Sequence, residues 1–394
     1  MALARLFGRL SLTAFGGPAA HIALMQRELV EQREWLTAGE FLDLVGASNA
    51  IPGPTSTEVA MYTGRRHGGI PGLVVAGLGF IAPAALIVGV LAWVYVRYGT
   101  TPAVGHLLVG VKPVVLAVVS VAVVRLSRTA LTSRLLAGIG VAVLAAYLAG
   151  LNEPVLLLAA SAAAAIAGRP RRRRPGGSPG AALLALLAAT GYMVARPLSA
   201  GAVGPGAEAV SAVAARGDGP DLLRILGAFL KIGALLFGSG YVLLAFLRRD
   251  LVLSHGWLTE GQILDAIAVG QFTPGPLFTT ATFVGYLLRG VPGATVATVA
   301  IFLPAFVMTA VLEPVIVKLR NSPATAAALD GLNAAAVALM AGVTWFLGRD
   351  AVVGLPTALL AGGALVALLR WRVNPVWLMA AGAAAGLVLR GHLQ

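Results

Sequence analysis

The stretch Pro71–Val96, PGLVVAGLGFIAPAALIVGVLAWVYV, runs 26 residues without a charged side chain. A helix needs about 20 apolar residues to cross a hydrocarbon core of about 30 Å, so this stretch predicts a membrane span. Val291–Leu312 is a second one, 22 residues long and equally free of charge. Working outward, Leu135–Leu151 and Ala351–Leu369 qualify, as do Ala103–Val124 and Ala324–Leu347, although these two hold Lys112 and Asp330. Pro154–Gly168 and Val373–Leu389 are short but apolar, and Ala181–Ala195 is a marginal extra span. The composition agrees: 58% hydrophobic and 11% charged, against about 25% charged in an ordinary soluble domain. The expected fold is an all-α polytopic membrane protein.

Several chemistries drop out at once. Without cysteine there is no disulfide, thiolate metal site or cysteine nucleophile. His21, His67, His106, His255 and His392 lack metal-ligand spacing, so no metal or cofactor is expected. No P-loop, dinucleotide fingerprint or Ser-His-Asp arrangement occurs, which excludes ATP as a direct energy source and argues against an enzyme. The net charge of +13 includes the cluster Arg169 and Arg171–Arg174. Basic and aromatic residues do not interleave as on a nucleic-acid surface, and arginine beside apolar spans reads as a cytoplasmic topology signal. The partner implied by the charge is the bilayer. Met1–Leu10 carries Arg5 and Arg9 and no cleavage site follows, so no removable leader is expected.

The chain matches itself at an offset of 222. Between 35–54 and 257–276, nine of twenty ungapped positions are identical, among them Trp35-Leu36-Thr37 with Trp257-Leu258-Thr259, Asp43 with Asp265, and Pro52-Gly53-Pro54 with Pro274-Gly275-Pro276. After a one-residue gap, Pro71, Pro83, Pro102 and Pro154 meet Pro292, Pro304, Pro323 and Pro375. The expected organisation is two homologous helical repeats, 1–168 and 222–394, joined by an Arg/Gly/Pro-rich linker at 169–221. Such duplication is the signature of a secondary transporter. If 181–195 crosses the bilayer, the second repeat is inverted, and inversion is the favoured arrangement.

Each repeat has two breaks where the helix cannot continue. The first is Phe15-Gly16-Gly17-Pro18, with Phe237-Gly238-Ser239-Gly240 as its counterpart. The second is Asn49-Ala50-Ile51-Pro52-Gly53-Pro54, with Gln271-Phe272-Thr273-Pro274-Gly275-Pro276. Proline removes a donor and glycine tolerates irregular dihedrals, and in lipid such backbone survives only inside protein or along a polar cavity. Thr55, Ser56 and Thr57 open the next helix in one repeat; Thr279, Thr280 and Thr282 lie near its start in the other. Helix N-termini with hydroxyls offer an anion site. The plainer reading is packing kinks whose hydroxyls bond back to carbonyls.

Ionisable residues inside a bilayer are costly and often functional. Lys112 either holds an anion or pairs with Asp330. Asp43 and Asp265 either take up protons or orient the hairpins. Glu58, replaced by Thr280 in the second repeat, suits a proton-coupling site on one repeat only, or a place near the water interface. Arg27 and Arg249 precede Trp35 and Trp257 and read as interfacial anchors, or as an entry site for an anion.

The two glycine breaks, the Trp35-Leu36 turn, Asn49-Ala50-Ile51-Pro52-Gly53-Pro54 and their second-half echoes resemble the chromate ion transporter family in its long, two-domain form. The resemblance covers nearly the whole chain outside 169–221. It implies an exporter of chromate in the bacterial cytoplasmic (inner) membrane, thought to use the proton motive force, with sulfate as the chemically similar anion, and two domains of opposite orientation. Family motif residues carried over are Gly16, Gly17, Asn49, Pro52, Gly53 and Pro54, with Gly238, Gln271, Pro274, Gly275 and Pro276. Ser239 and Gly240 depart from Gly17 and Pro18, and Gln271 from Asn49, so the site need not be symmetric. The expected substrate site comprises these breaks with Thr55, Ser56, Ser239, Thr273, Thr279 and Lys112, and protons are the coupling ion. A homodimer is allowed for. The alternatives are a sulfate or other oxyanion transporter or exchanger, an integral-membrane enzyme acting on lipid-linked substrates, and a channel or scramblase.

Overall fold

The computed structural model describes residues 2–14, 18–48, 52–99, 101–167, 220–236, 242–320, 323–371 and 373–388. Linker residues 169–219, and with them the extra span expected at 181–195, lie outside these. Among the described residues there are helices and short connections and no strand. In chain order the α-helices are α1 (Ala2–Thr13), α2 (Pro18–Gln26), α3 (Ala38–Ser48), α4 (Thr55–Tyr98), α5 (Pro102–Ala130), α6 (Arg134–Leu148) and α7 (Glu153–Ala167). They continue with α8 (Leu222–Leu235), α9 (Leu243–Leu247), α10 (Glu260–Phe272), α11 (Thr280–Arg320), α12 (Pro323–Ala351), α13 (Leu355–Arg370) and α14 (Pro375–Val388).

Thr55–Tyr98, Val104–Ala130, Leu277–Val311 and Ala324–Ala351 are long and apolar enough to cross a membrane, and α6, α7, α13 and α14 are shorter apolar helices. Large apolar side chains stand outward along them: Leu86 is 71% exposed, Ile166 88% and Trp377 72%. A soluble protein rarely carries such surface; here it meets lipid. The chain is an all-α polytopic membrane protein.

Two local devices recur in both halves of the chain. Each long helix, α4 and α11, is two helices joined at a kink, with Gly68 and Gly69 at (φ, ψ) of (−151°, 22°) and (60°, −148°), and Arg289 and Gly290 at (−151°, 30°) and (59°, −147°). The second residue of each pair sits in a region that in practice only glycine occupies. The stretches read as spans, Pro71–Val96 and Val291–Leu312, therefore lie in the parts after these kinks. Between Pro-Gly-Pro and kink the second half is one residue shorter, and there Leu277–Thr279 forms a 3-10 turn in place of the α-helix that follows Pro54. A 3-10 turn rises about 2.0 Å per residue against about 1.5 Å, so three such residues reach as far as four α-helical ones. The other device is a π-helix, Arg27–Gln32 and Arg248–Ser254. Each closes with two amides on one carbonyl: Trp35 and Leu36 donate to Leu29, and Trp257 and Leu258 to Leu251.

The described chain forms two compact units. The first comprises Met1–Thr100, Pro205–Leu243 and Ala266–Lys318. In it α1 packs along α4, with Gly8 set against Gly79, and α8 meets α11, where Gly233 faces the carbonyl of Ile301. Its core gathers Phe7, Leu10, Met25, Leu29, Phe41 and Phe80. Arg65 of α4 donates to the carbonyl of Thr309 in α11 at 2.7 Å and also to that of Ala310. Pro314, lacking an N–H, leaves the Ala310 carbonyl without its helical donor.

The second unit comprises Thr101–Gly204, Leu244–Asp265 and Leu319–Gln394. Here α12 packs against α5, α6 and α7, while α5 also packs against α13 and α14. The tightest crossings use small residues, Gly110 of α5 against Gly382 and Gly386 of α14, and Gly331 of α12 against Ala160 and Ala164 of α7. Without a hydrophobic force between helices in lipid, such close backbone approach supplies the packing energy.

Candidate functional site

The Pro-Gly-Pro breaks both fall in the first unit. The N–H of Gly53 donates to the carbonyl of Leu236 at 2.8 Å, and the N–H of Gly275 donates to the carbonyl of Ala14 at 3.2 Å. Leu236 and Ala14 are the last described residues before the two Phe-Gly breaks, so each Pro-Gly-Pro tip is tied to the end of the first helix of the other half. Gly53 has φ 145° and Gly275 φ 98°. A Cβ on Gly53 would come 2.9 Å from the Cβ of Ala305 and collide with the Glu58 carboxyl; on Gly275 it would collide with the Cβ of Ala84. Pro83-Ala84 and Pro304-Ala305 are themselves a matched pair.

The polar side chains around these tips divide into spent and unspent groups. Thr273 donates to the carbonyl of Val269 at 2.9 Å and Thr279 to that of Pro276 at 2.8 Å. His21 lies with Nε2 3.1 Å from the Ala14 carbonyl and Nδ1 3.2 Å from Ser56 Oγ. A carbonyl only accepts, so Nε2 carries the ring proton and the Ser56 hydroxyl donates to Nδ1. Ser11, Ser48, Thr57 and Thr280 hydroxyls, the Gln271 Nε2 and both Glu58 oxygens are buried and have no hydrogen-bond partner among the described residues. A buried polar group left so costs about 1–3 kcal/mol, so these groups are the ones near the tips with hydrogen-bonding capacity to spare among the described residues. Thr55 is half-buried in the first turn of α4, and Pro52 is buried. Gly16, Gly17, Asn49, Gly238 and Ser239 lie outside the described residues.

The remaining candidates separate from this group. Asp43 and Arg27 are exposed on α3 and at the start of the first π-helix. Lys112 belongs to the second unit, where its Nζ lies 3.2 Å from Asp265, itself 4% exposed. Lys112 thus pairs with Asp265; Asp330, the partner considered from the sequence, is exposed. Beside that pair, Arg249 holds the buried Glu153 at 3.2 Å, and Arg248 holds Glu260 at 2.7 Å while lying over the Phe346 ring. At the matching positions of the opposite half Gln26 and Ala38 stand for Arg248 and Glu260, and Asn374 for Glu153, so neither ion pair recurs. Glu153 before Pro154 looks in the sequence like a helix start, and His21 lacks metal-ligand spacing; no local signal joins either to its partner. Among the described residues no group of three or more His, Asp or Glu side chains is placed to hold a metal.

The model of the chromate transporter family matches residues 1–168 and 223–387. The chain is 33% identical to the chromate transport protein of Cupriavidus metallidurans, over 97% of this chain and 91% of that protein. It is 34% identical to the chromate transport protein of Pseudomonas aeruginosa over the same shares, and 31% identical to a probable chromate transport protein of Synechococcus elongatus over 94% and 90%. No solved structure matches it. With the family model covering both halves and these relatives aligned nearly end to end, the chain belongs to the chromate transporter family.

Proposed function

We propose that this protein is a secondary transporter that exports chromate from a bacterial cytoplasm across the inner membrane, driven by the proton motive force. Transport of chromate rests on the family and on relatives named for it. The observation that carries the site is the reciprocal tie of the two Pro-Gly-Pro tips to the opposite broken helices, with unbonded buried donors around them. In this reading the anion is held by donors that no other described residue uses: the Gln271 side-chain amide and the hydroxyls of Thr57 and Thr280. The breaks at Gly16-Gly17 and Gly238-Ser239, with Asn49, Pro52, Gly53, Thr55, Ser56, Thr273, Gly275 and Thr279, shape the cavity. Asp43, Glu58 and Asp265 are the proton-coupling candidates, and Lys112 sets the charge of the second unit. The repeats 1–168 and 222–394 lie inverted in the bilayer.

Sulfate, also a tetrahedral dianion, is expected to compete. The test is chromate uptake by energised everted vesicles containing the protein. Uptake above that of vesicles lacking it, reduced by excess sulfate and lost in Gln271→Ala, is the expected result. Uptake no higher than in vesicles lacking the protein would remove the reading.

A further inference from the structure

Glu58 lies one turn into α4, whose first segment runs from Thr55 to the kink at Gly68. It is fully buried, and neither carboxyl oxygen has a hydrogen-bond partner among the described residues. Its Oε1 occupies the room that Gly53 leaves by lacking a Cβ, so the carboxyl is laid against the Pro52-Gly53-Pro54 tip. Among the described residues this is an unpaired acid laid against the break where the anion is proposed to bind.

Among the described residues of the packed elements no buried, unpaired cation lies beside it. Arg5 and Arg9 on α1, Asp43 on α3, Lys231 on α8 and Arg289 on α11 are exposed, and Glu40 on α3 and Tyr286 on α11 are half-buried. On α4 itself, Arg66 and His67 are exposed, and half-buried Arg65 is bonded to the carbonyls of Thr309 and Ala310. Tyr62 is buried on the same helix, one turn on. The buried titratable group brought by a packed neighbour is His21 of α2, and its two nitrogens are already matched by the Ala14 carbonyl and the Ser56 hydroxyl. A proton needed at this place has Glu58 to go to.

A dianion and a carboxylate in one water-poor site repel each other strongly, because low local dielectric magnifies the interaction. We propose that Glu58 is the proton carrier of the anion site: its carboxyl is protonated whenever a tetrahedral dianion is bound, so that proton and anion travel in the same direction. A threonine, which carries no titratable proton, stands at the matching place in the second half, so this site supplies one proton per anion. The inference rests on the oxyanion-transport reading and adds to it the carrier and the sense of coupling.

The test is calorimetric titration of the purified full-length protein with sulfate, which stays a dianion from neutral to alkaline pH, and with chromate. Each is run in two buffers of different ionisation enthalpy. Towards alkaline pH the affinity should fall, approaching tenfold per pH unit, with uptake approaching one proton per anion bound. Glu58→Gln should bind with an affinity that no longer varies with pH and with no proton uptake. His21→Gln, whatever its affinity, should keep the wild-type slope. Wild-type binding without proton uptake overturns the inference and leaves the transport reading standing, and this measurement decides even where a variant fails to fold. A slope that survives Glu58→Gln, or that vanishes in His21→Gln, overturns it as well. Binding of neither anion at any pH overturns both.

Discussion

Gly53 and Gly275 show how one atom can set the geometry of the proposed anion site. Each has a positive φ, and each faces a neighbour that leaves no room for a methyl group, the Glu58 carboxyl and Ala305 in one case and Ala84 in the other. Alanine at either position adds backbone strain of about 1–3 kcal/mol and overpacking of a similar size. Gly53→Ala and Gly275→Ala are therefore each expected to lower stability by roughly 2 kcal/mol or more, read as a lowered melting temperature in detergent by tryptophan fluorescence. Gly39→Ala is the control. It lies in the first turn of α3 with nothing within 4 Å of the added carbon, and alanine there should gain up to about 1 kcal/mol in helix propensity. Equal melting temperatures for all three variants would mean that the tips yield freely and do not fix the site.

The elements that present these residues are held by a motif visible in the sequence yet easily passed over. Trp35-Leu36-Thr37 and Trp257-Leu258-Thr259 each lead into a capping box. Thr37 N–H donates to Glu40 at 2.8 Å while Glu40 N–H donates to the Thr37 hydroxyl at 3.2 Å, and Thr259 and Gln262 repeat both distances. The pattern Thr-x-x-Glu/Gln carries this information locally, as hydropathy carries the spans and Pro-Gly-Pro the breaks. What joins Gly53 to Leu236, Lys112 to Asp265 or Arg249 to Glu153 was not legible, because these contacts link residues far apart in the chain that share no periodicity. Whether a threonine near a break offers its hydroxyl to a ligand was equally hidden. Thr279, in the 3-10 turn, donates to the Pro276 carbonyl, whereas the Thr280 hydroxyl has no partner among the described residues. The two capping boxes also differ in one testable respect. The Thr37 backbone N–H, then Arg66 and the Thr37 hydroxyl, hold the Glu40 carboxyl down from its ordinary 4.5 to about 2. A depressed acid adds stability that is present above 4.5 and is lost as the pH falls towards about 2. Glu40→Gln, copying the second box, is expected to keep α3 capped and to flatten stability against pH within that window. An unchanged acid limb in Glu40→Gln would show that the cap contributes nothing to it.

At the scale of the whole molecule, the proposed role of Glu58 determines which part of the proton motive force would perform the work. Moving one elementary charge through 100 mV is worth about 2.3 kcal/mol, so a dianion leaving a negative interior gains about 4.6 kcal/mol from the potential. With one proton riding on Glu58 the net charge is one negative, and the electrical gain falls to about 2.3 kcal/mol per 100 mV. The proton now moves outward against the pH gradient. In everted vesicles, positive and acidic inside, the membrane potential should therefore drive chromate uptake while the pH gradient opposes it. Collapsing the potential with valinomycin and potassium is expected to abolish uptake, whereas collapsing the pH gradient with nigericin should raise it. In Glu58→Gln the nigericin effect should disappear, because no proton then crosses with the anion. Exchange of an outgoing anion for an incoming proton makes the opposite demand, for the pH gradient would then drive export and nigericin would inhibit it. One pair of ionophores thus reads from the intact transporter whether the Glu58 carboxyl beside Gly53 carries the proposed proton, and in which direction.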